Sequence, residues 1–190
     1  DRLVRARYWP RTPAPAGNQL VGKTCGILGC GGIGRGVAKR AEAFGMSICY
    51  HGPRRKDVAY PYYADLKAMA EIADCLVVAC PETPETRNLV DARILDALGP
   101  EGFLVNVARG PIVNEAALLA ALADQRVAGA GLDAFWDEPR VPAALVGMEN
   151  VILVPHMGST TSEIRDERSA KLLANLSAYF SGKPVPHPLT

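Results

Sequence analysis

The sequence lacks the features of a membrane protein and of a nucleic-acid-binding protein. Its longest uninterrupted apolar run, residues 116–123, is far shorter than the roughly 20 residues that span a bilayer. The Arg-rich start contains no apolar core of a signal peptide. Basic and acidic side chains nearly cancel, 21 against 20, and no basic run covers a whole face. We therefore expect a cytoplasmic protein that binds neither a membrane nor nucleic acid.

The sequence also lacks the cysteine spacing of a metal or redox site. Five cysteines are present, but no two of them form a C-x-x-C pair. They lie in or beside apolar, strand-like segments, which favours reduced core residues in the cytoplasm. We predict no metal site. The cysteines are Cys25, Cys30, Cys49, Cys75 and Cys80.

What the sequence does contain is a regular alternation of short apolar segments and longer helical patterns. A chain of 190 residues with 48% hydrophobic residues can bury one sizeable core. The alternation predicts an α/β fold with a doubly wound parallel sheet. The predicted strands are residues 24–28, 47–50, 75–79, 103–107, 127–130 and 151–154. The predicted helices are residues 33–44, 64–72, 92–98, 115–123 and 162–180.

Three segments follow from these patterns. Residues 1–22 are interpreted as the end of a lead-in helix and a Pro-rich connector, and residues 23–160 as the domain that contains the sheet. Residues 161–190 contain a C-terminal helix. Thr160 stands three residues before Glu163, which predicts a capping box at the start of this helix.

A glycine-rich loop, Gly-Cys-Gly-Gly-Ile-Gly at residues 29–34, lies directly between the first predicted strand and the first predicted helix. In a Rossmann-type domain, Gly29 would permit the tight turn and Gly31 would let a pyrophosphate approach the backbone. Gly34 would let the helix pack close to the strand. The helix N-terminus would then face the phosphates. The alternative is a merely flexible glycine turn, but the flanking strand and helix favour a dinucleotide site.

The acidic residue that usually holds the ribose of NAD is absent. Residues 43–56 contain no Asp or Glu, and Gly52 stands where the acid is expected. It is followed by Pro53, Arg54, Arg55 and Lys56. Guanidinium and ammonium groups attract a 2′-phosphate, so this substitution favours NADP, with NAD as a possible alternative. An ordinary solvated basic loop is the other interpretation.

Three polar residues follow other predicted strands, namely Arg109, Glu138 and His156. The carboxyl ends of parallel strands meet at one edge of the sheet, so these side chains can converge beside the nicotinamide. Each also has an ordinary interpretation. Arg109 can pair with a surface acid, Glu138 can be a solvated loop residue before a proline, and His156 can be a partly buried histidine with satisfied hydrogen bonds.

Taken together, these segments resemble the D-isomer-specific 2-hydroxyacid dehydrogenase family, from about Trp9 to the C-terminus. The resemblance is carried by the glycine loop and by residues 80–86, 106–110, 131–139 and 156–159. It implies that Arg109, Glu138 and His156 are catalytic and that Asp133 holds the nicotinamide carboxamide. Where this sequence has Gly32, the family usually has an arginine. The residues expected at the cofactor are Gly29, Cys30, Gly31, Gly32, Ile33, Gly34, Gly52, Pro53, Arg54, Arg55, Cys80, Pro81, Thr86, Val107, Ala108, Arg109, Asp133, His156 and Gly158.

The resemblance also implies an activity, a domain arrangement and an assembly. The expected reaction is hydride transfer between NAD(P)H and a small 2-oxo acid, such as glyoxylate or hydroxypyruvate, by a homodimeric oxidoreductase. The expected substrate domain precedes Asp1, and residues 161–190 return toward it. Two other interpretations stay open at this point: a dinucleotide-sensing, corepressor-like regulatory module without turnover, and a structural domain left by a truncated gene.

Overall fold

One parallel sheet organises the computed structural model, which describes Arg5 and residues 17–188. Within these residues the sheet has seven strands in the order β3-β2-β1-β4-β5-β6-β7. The strands are β1 Thr24–Leu28, β2 Ser47–His51, β3 Tyr62–Tyr63, β4 Cys75–Val78, β5 Phe103–Asn106, β6 Gly129–Leu132 and β7 Val151–Leu153. The helices are α1 Gly32–Ala43, α2 Leu66–Ala70, α3 Ala92–Leu98, α4 Glu115–Ala123, α5 Ala143–Val146 and α6 Ser162–Phe180, with a 3₁₀ turn at Gly110–Ile112.

The chain winds in two directions from the central strand β1. Strand β1 pairs with β2 on one side and with β4 on the other, and every pairing in the sheet is parallel. Buried side chains form one cluster on each face of the sheet. Ala38 of α1 lies in one cluster, while Leu95 of α3 and Leu118 of α4 lie in the other. The predicted doubly wound α/β fold is therefore confirmed, with its switch point between β1 and β4, where ligands of such folds bind.

The prediction of a strand at residues 127–130 is wrong by two residues. Strand β6 is Gly129–Leu132 instead. A Cβ at Gly129 would lie 2.4 Å from the carbonyl oxygen of Asn150, so the backbone leading into β7 approaches too closely for any other residue. Glycine is a poor strand former, so local preference placed the strand at Val127, which is buried just before it.

Two further local expectations differ from the structure. The helix α6 is capped by Thr161, whose Oγ1 accepts from the amide of Ile164, and not by Thr160. The amide of Thr160 instead donates to the carbonyl of Met157 in the preceding turn. The two-residue strand Tyr62–Tyr63 is not predicted, because two residues carry no periodicity.

None of the residues of the C-terminal helix α6 is buried within the described part of the chain. Leu173 and Phe180 are 66% and 81% exposed. No helix in the described part of the chain is both long enough and apolar enough to cross a membrane. The lead-in helix and connector predicted for residues 1–22 lie outside the described residues except for Arg5 and residues 17–22.

Candidate cofactor groove and active site

The glycine turn after β1 has the shape expected of a phosphate-binding loop. Gly29 has φ +100°, and a Cβ there would lie 2.6 Å from the backbone of Cys80. A Cβ at Gly34 would lie 2.1 Å from the carbonyl oxygen of Gly29, so helix and strand touch at this point. Gly31 and Gly32 instead face open space. No side chain among the described residues caps helix α1, so its first amides are available to an anion in that space, which fits a pyrophosphate.

A groove runs along the carboxyl edge of the sheet on both sides of this turn. It consists of two neighbouring cavities of about 670 and 610 Å³, a size that suits a large cofactor. Both cavities share Gly31, Ala79, Cys80 and Pro81. The first extends to the loop after β2, and the second to the end of β5 at Arg109. We call the two together the groove.

Most residues predicted at the cofactor line the groove. These are Gly29, Cys30, Gly31, Gly32, Ile33, Gly52, Pro53, Arg54, Cys80, Pro81, Thr86, Val107, Ala108 and Arg109. The remaining predicted residues do not line it: Gly34, Arg55, Asp133, His156 and Gly158. The wall also contains Lys56, whose ammonium group the sequence predicts near a 2′-phosphate. Residues of the wall that were not predicted as cofactor ligands are Leu28, Tyr50, His51, Ala79, Glu82, Thr83, Glu85 and Leu89.

The loop after β4 lines the first cavity together with the loop after β2, residues 52–56, which we call the basic loop. The Thr86 hydroxyl accepts from the amide of Thr83 at 2.7 Å and donates to the carbonyl of Pro81 at 2.9 Å. These bonds fold the loop back over the groove, which explains why Thr83 and Leu89 also line it. Burial raises the pKa of the Cys80 thiol to about 11, so this side chain contributes a neutral, weakly polar surface at neutral pH.

The turn that presents Arg109 is built on a buried asparagine. Asn106, at the end of β5, is 1% exposed. Its Oδ1 accepts from the amide of Ala108, and its Nδ2 donates to the carbonyl of Arg109. Both hydrogen-bonding ends of the amide are therefore used on this turn, and leaving such groups unpaired costs about 1–3 kcal/mol. Asn106 acts as a positioning residue for Arg109, a role that its place inside an apolar strand could have indicated.

Close backbone packing brings the Arg109 turn against the segment that carries Glu138. A Cβ at Gly110 would lie 2.2 Å from the carbonyl carbon of Phe135, so only glycine fits directly after Arg109. The indole of Trp136 also donates to the carbonyl of Val113 at 2.7 Å, which ties the two segments together. The sequence places these segments about 25 residues apart, and the fold joins them.

Glu138 and His156 form a hydrogen-bonded pair beside this turn. Nδ1 of His156 lies 2.8 and 3.0 Å from the two carboxylate oxygens of Glu138. The amide of Phe135 donates to the same carboxylate at 3.0 Å. This amide first, then His156, and to a smaller extent the charge of Arg109, lower the pKa of Glu138. Glu138 is therefore ionised at neutral pH, and since a carboxylate only accepts, Nδ1 carries the hydrogen and Nε2 is left for another partner.

Asp133 and Gly158 shape the turn around His156. The carboxylate of Asp133 accepts from the amides of Met157 and Gly158 at 2.8 and 2.9 Å. A Cβ at Gly158 would lie 2.7 Å from that carboxylate. These contacts hold His156 at φ +46°, a backbone conformation that residues other than glycine rarely adopt. Asp133 thus stabilises this turn, and its expected contact with the nicotinamide carboxamide stays a prediction.

Comparison with known proteins identifies the family. Residues 1–158 match the model of the D-isomer specific 2-hydroxyacid dehydrogenase, NAD binding domain. The chain is 46% identical over its whole length to glyoxylate/hydroxypyruvate reductase A of Arabidopsis thaliana, covering 61% of that protein. It is 44% identical over its whole length to 2-ketogluconate reductase of Gluconobacter oxydans, again covering 61% of that protein.

A solved structure shows the same similarity in three dimensions. The NADPH-dependent glyoxylate/hydroxypyruvate reductase of Sinorhizobium meliloti, in complex with NADP and malonate, superposes with a TM-score of 0.89 at 43% identity. The match covers 100% of this chain and 58% of that one. The chain thus spans about three-fifths of the length of these relatives. It belongs to the D-isomer specific 2-hydroxyacid dehydrogenase family and contains the family's NAD-binding domain.

Proposed function

We propose that this chain is the cofactor domain of an NADP-preferring reductase that acts on a small 2-oxo acid. The observation that supports this most strongly is the groove, which runs from a basic loop to Arg109, next to the Glu138–His156 pair. The relatives named above act on glyoxylate, hydroxypyruvate and 2-ketogluconate, according to their names. Glyoxylate and hydroxypyruvate are the substrates we propose.

Residue chemistry assigns a task to each of the three polar side chains. A bound nicotinamide supplies or accepts the hydride. Arg109 binds the substrate carboxylate with its planar guanidinium, which stays charged at any working pH. His156 gives a proton from Nε2 to the carbonyl oxygen as the hydride reaches the carbon, so that the 2-oxo acid becomes a 2-hydroxy acid. Glu138 holds the imidazole by Nδ1 and stabilises its protonated form.

The preference for NADP rests on the loop after β2. Arg54 and Lys56 line the first cavity, and Glu85 is the one acidic residue among its described lining residues. Arg54 and Arg55 are both predicted at the cofactor, but of these two only Arg54 lines the cavity. A phosphate on the ribose would thus meet two cations instead of the usual carboxylate.

The chain is expected to bind NADPH more tightly than NADH, and Arg54→Ala is expected to remove most of this difference. Loss of a charge-assisted hydrogen bond should weaken NADPH by about tenfold or more and leave NADH nearly unchanged. Arg55→Ala is the matched control, because it removes the same charge one residue away. Titration of each protein with both nucleotides, followed by fluorescence or calorimetry, measures this. Equal affinities for NADPH and NADH, or tighter NADH, would contradict the proposal.

The exposed face of helix α6 supports the domain arrangement that we propose. Leu172, Leu173, Tyr179 and Phe180 are each 60% or more exposed, although such side chains normally lie in a core. We propose that residues 161–190 pack against a substrate domain.

We also propose a homodimer in the cytoplasm. Five unpaired cysteines, four of them buried, support a reducing compartment.

A further inference from the structure

Two tyrosines hold the two ends of the basic loop. The hydroxyl of Tyr50 accepts from the amide of Lys56 at 2.7 Å and donates to the carbonyl of the same residue at 3.2 Å. The hydroxyl of Tyr62 donates to the carbonyl of Gly52 at 3.1 Å. The two rings are neighbours, with centroids 5.3 Å apart. The loop between Gly52 and Lys56 is therefore clamped at its first and last residues by one aromatic pair.

The fold brings this pair together from separate segments. Tyr50 lies in β2, and its ring is 1% exposed in the core cluster on the α1 face of the sheet. Tyr62 lies in the short edge strand β3, and its backbone is in register with Tyr50. A phenylalanine could fill either ring position. Among the described residues, the two hydroxyl groups hydrogen-bond only to the loop.

The basic side chains of the loop depend on this backbone clamp. Within residues 17–188, neither Arg54 nor Lys56 forms an ion pair. Pro53, Arg54, Arg55 and Lys56 are all exposed. Their own contacts with the protein thus do little to hold the loop over the cavity. Hydrogen bonds from the hydroxyl groups of Tyr50 and Tyr62 instead hold the backbone at the two ends of the loop.

We propose that Tyr50, assisted by Tyr62, is a positioning residue for NADP selectivity in this chain. Its hydroxyl holds Lys56 and, through the loop, Arg54 at the distance that a 2′-phosphate requires. The inference rests on the proposed NADP preference. It adds that selectivity depends on a buried hydroxyl as well as on the cations that would touch the phosphate. A ligand without the 2′-phosphate does not need the cations, so its affinity should not depend on this hydroxyl.

The test is the ratio of NADPH to NADH affinity in Tyr50→Phe, Tyr62→Phe and Tyr60→Phe. Tyr60→Phe is the matched control, because the Tyr60 hydroxyl donates to Glu42 on helix α1 and not to the loop. Loss of a hydrogen bond worth about 0.5–1.5 kcal/mol predicts that Tyr50→Phe weakens NADPH binding by about twofold to tenfold. NADH affinity should change by less than about twofold, and Tyr60→Phe should leave both unchanged. Adenosine 2′,5′-bisphosphate and adenosine 5′-monophosphate serve as smaller probes of the same contrast.

The outcomes separate this inference from the proposed function. If the parent chain shows no preference for NADPH, the proposed NADP preference is wrong and the inference falls with it. If the parent prefers NADPH but Tyr50→Phe keeps the parental ratio, only the positioning role is wrong. Equal weakening of both nucleotides in Tyr50→Phe would show a purely structural role and would also overturn the inference. Should Tyr50→Phe fold poorly in a thermal unfolding test, Tyr62→Phe carries the same prediction from the other end of the loop.

Discussion

Replacement of His156 by alanine is expected to lower kcat by about 10²- to 10⁴-fold while the affinity for NADPH stays nearly unchanged. In the proposed reaction the imidazole moves a proton, and it is not among the described residues that line the groove. Removing it should therefore slow chemistry without weakening cofactor binding. The measurement is steady-state reduction of a 2-oxo acid in an active enzyme that contains this chain, together with a separate NADPH titration.

The pH dependence of reduction by Glu138→Gln is a second test of the role proposed for His156. The carboxylate of Glu138 has a lowered pKa, so in the parent its negative charge persists through neutral pH and stabilises the protonated imidazole. Glutamine removes that charge. Reduction should then fall at lower pH than in the parent. Parental turnover in His156→Ala, or an unmoved profile in Glu138→Gln, would show that these roles are wrong.

Arg109→Ala is expected to reduce kcat/KM for the 2-oxo acid by roughly 10²-fold or more, chiefly through a higher KM. Two charge-assisted hydrogen bonds to a carboxylate are lost, each worth about 1.5–3 kcal/mol. The amide and carbonyl of the turn stay in place because Asn106 holds them. NADPH affinity should change much less than substrate KM, which kinetics and titration of the same variant can compare.

Arg109→Lys is the discriminating variant for this role. Lysine keeps the positive charge but cannot form the two parallel hydrogen bonds of a guanidinium, so it should not restore the parental KM. Full rescue by lysine would show that Arg109 provides only a charge. An unchanged KM in Arg109→Ala would show that another group binds the substrate carboxylate.

The elements that could be predicted from the sequence are those with local signals. The glycine loop at residues 29–34 specifies a strand, a turn and a helix within a few residues, and its steric demands are met at Gly29 and Gly34. Helix α4 begins and ends as predicted, because Asn114 caps it and an uninterrupted run of helix formers follows. The position of the groove then follows, because ligands of open parallel α/β sheets bind at the carboxyl ends of the strands.

The rest depends on contacts between distant segments. Strand β6 is displaced because Gly129 must pass close to Asn150, a constraint that local preference does not contain. The distinction between Arg54 and Arg55 depends on which side of the loop faces the cavity. One end of this loop is held by the Tyr62 hydroxyl, which donates to the carbonyl of Gly52, and the two-residue strand of Tyr62 has no recognisable sequence pattern. Contacts of this kind, between residues far apart in the sequence, cannot be predicted from local sequence patterns.

Turnover of NADPH with glyoxylate and hydroxypyruvate, in a protein that contains this chain together with the proposed substrate domain, tests the central claim most directly. The account predicts that NADPH is oxidised and that one 2-hydroxy acid forms for each NADPH consumed. NADH should support the reaction less efficiently at equal concentration. Tight NADPH binding without any turnover, in a folded protein with its substrate domain present, would contradict the account and favour a dinucleotide-sensing module.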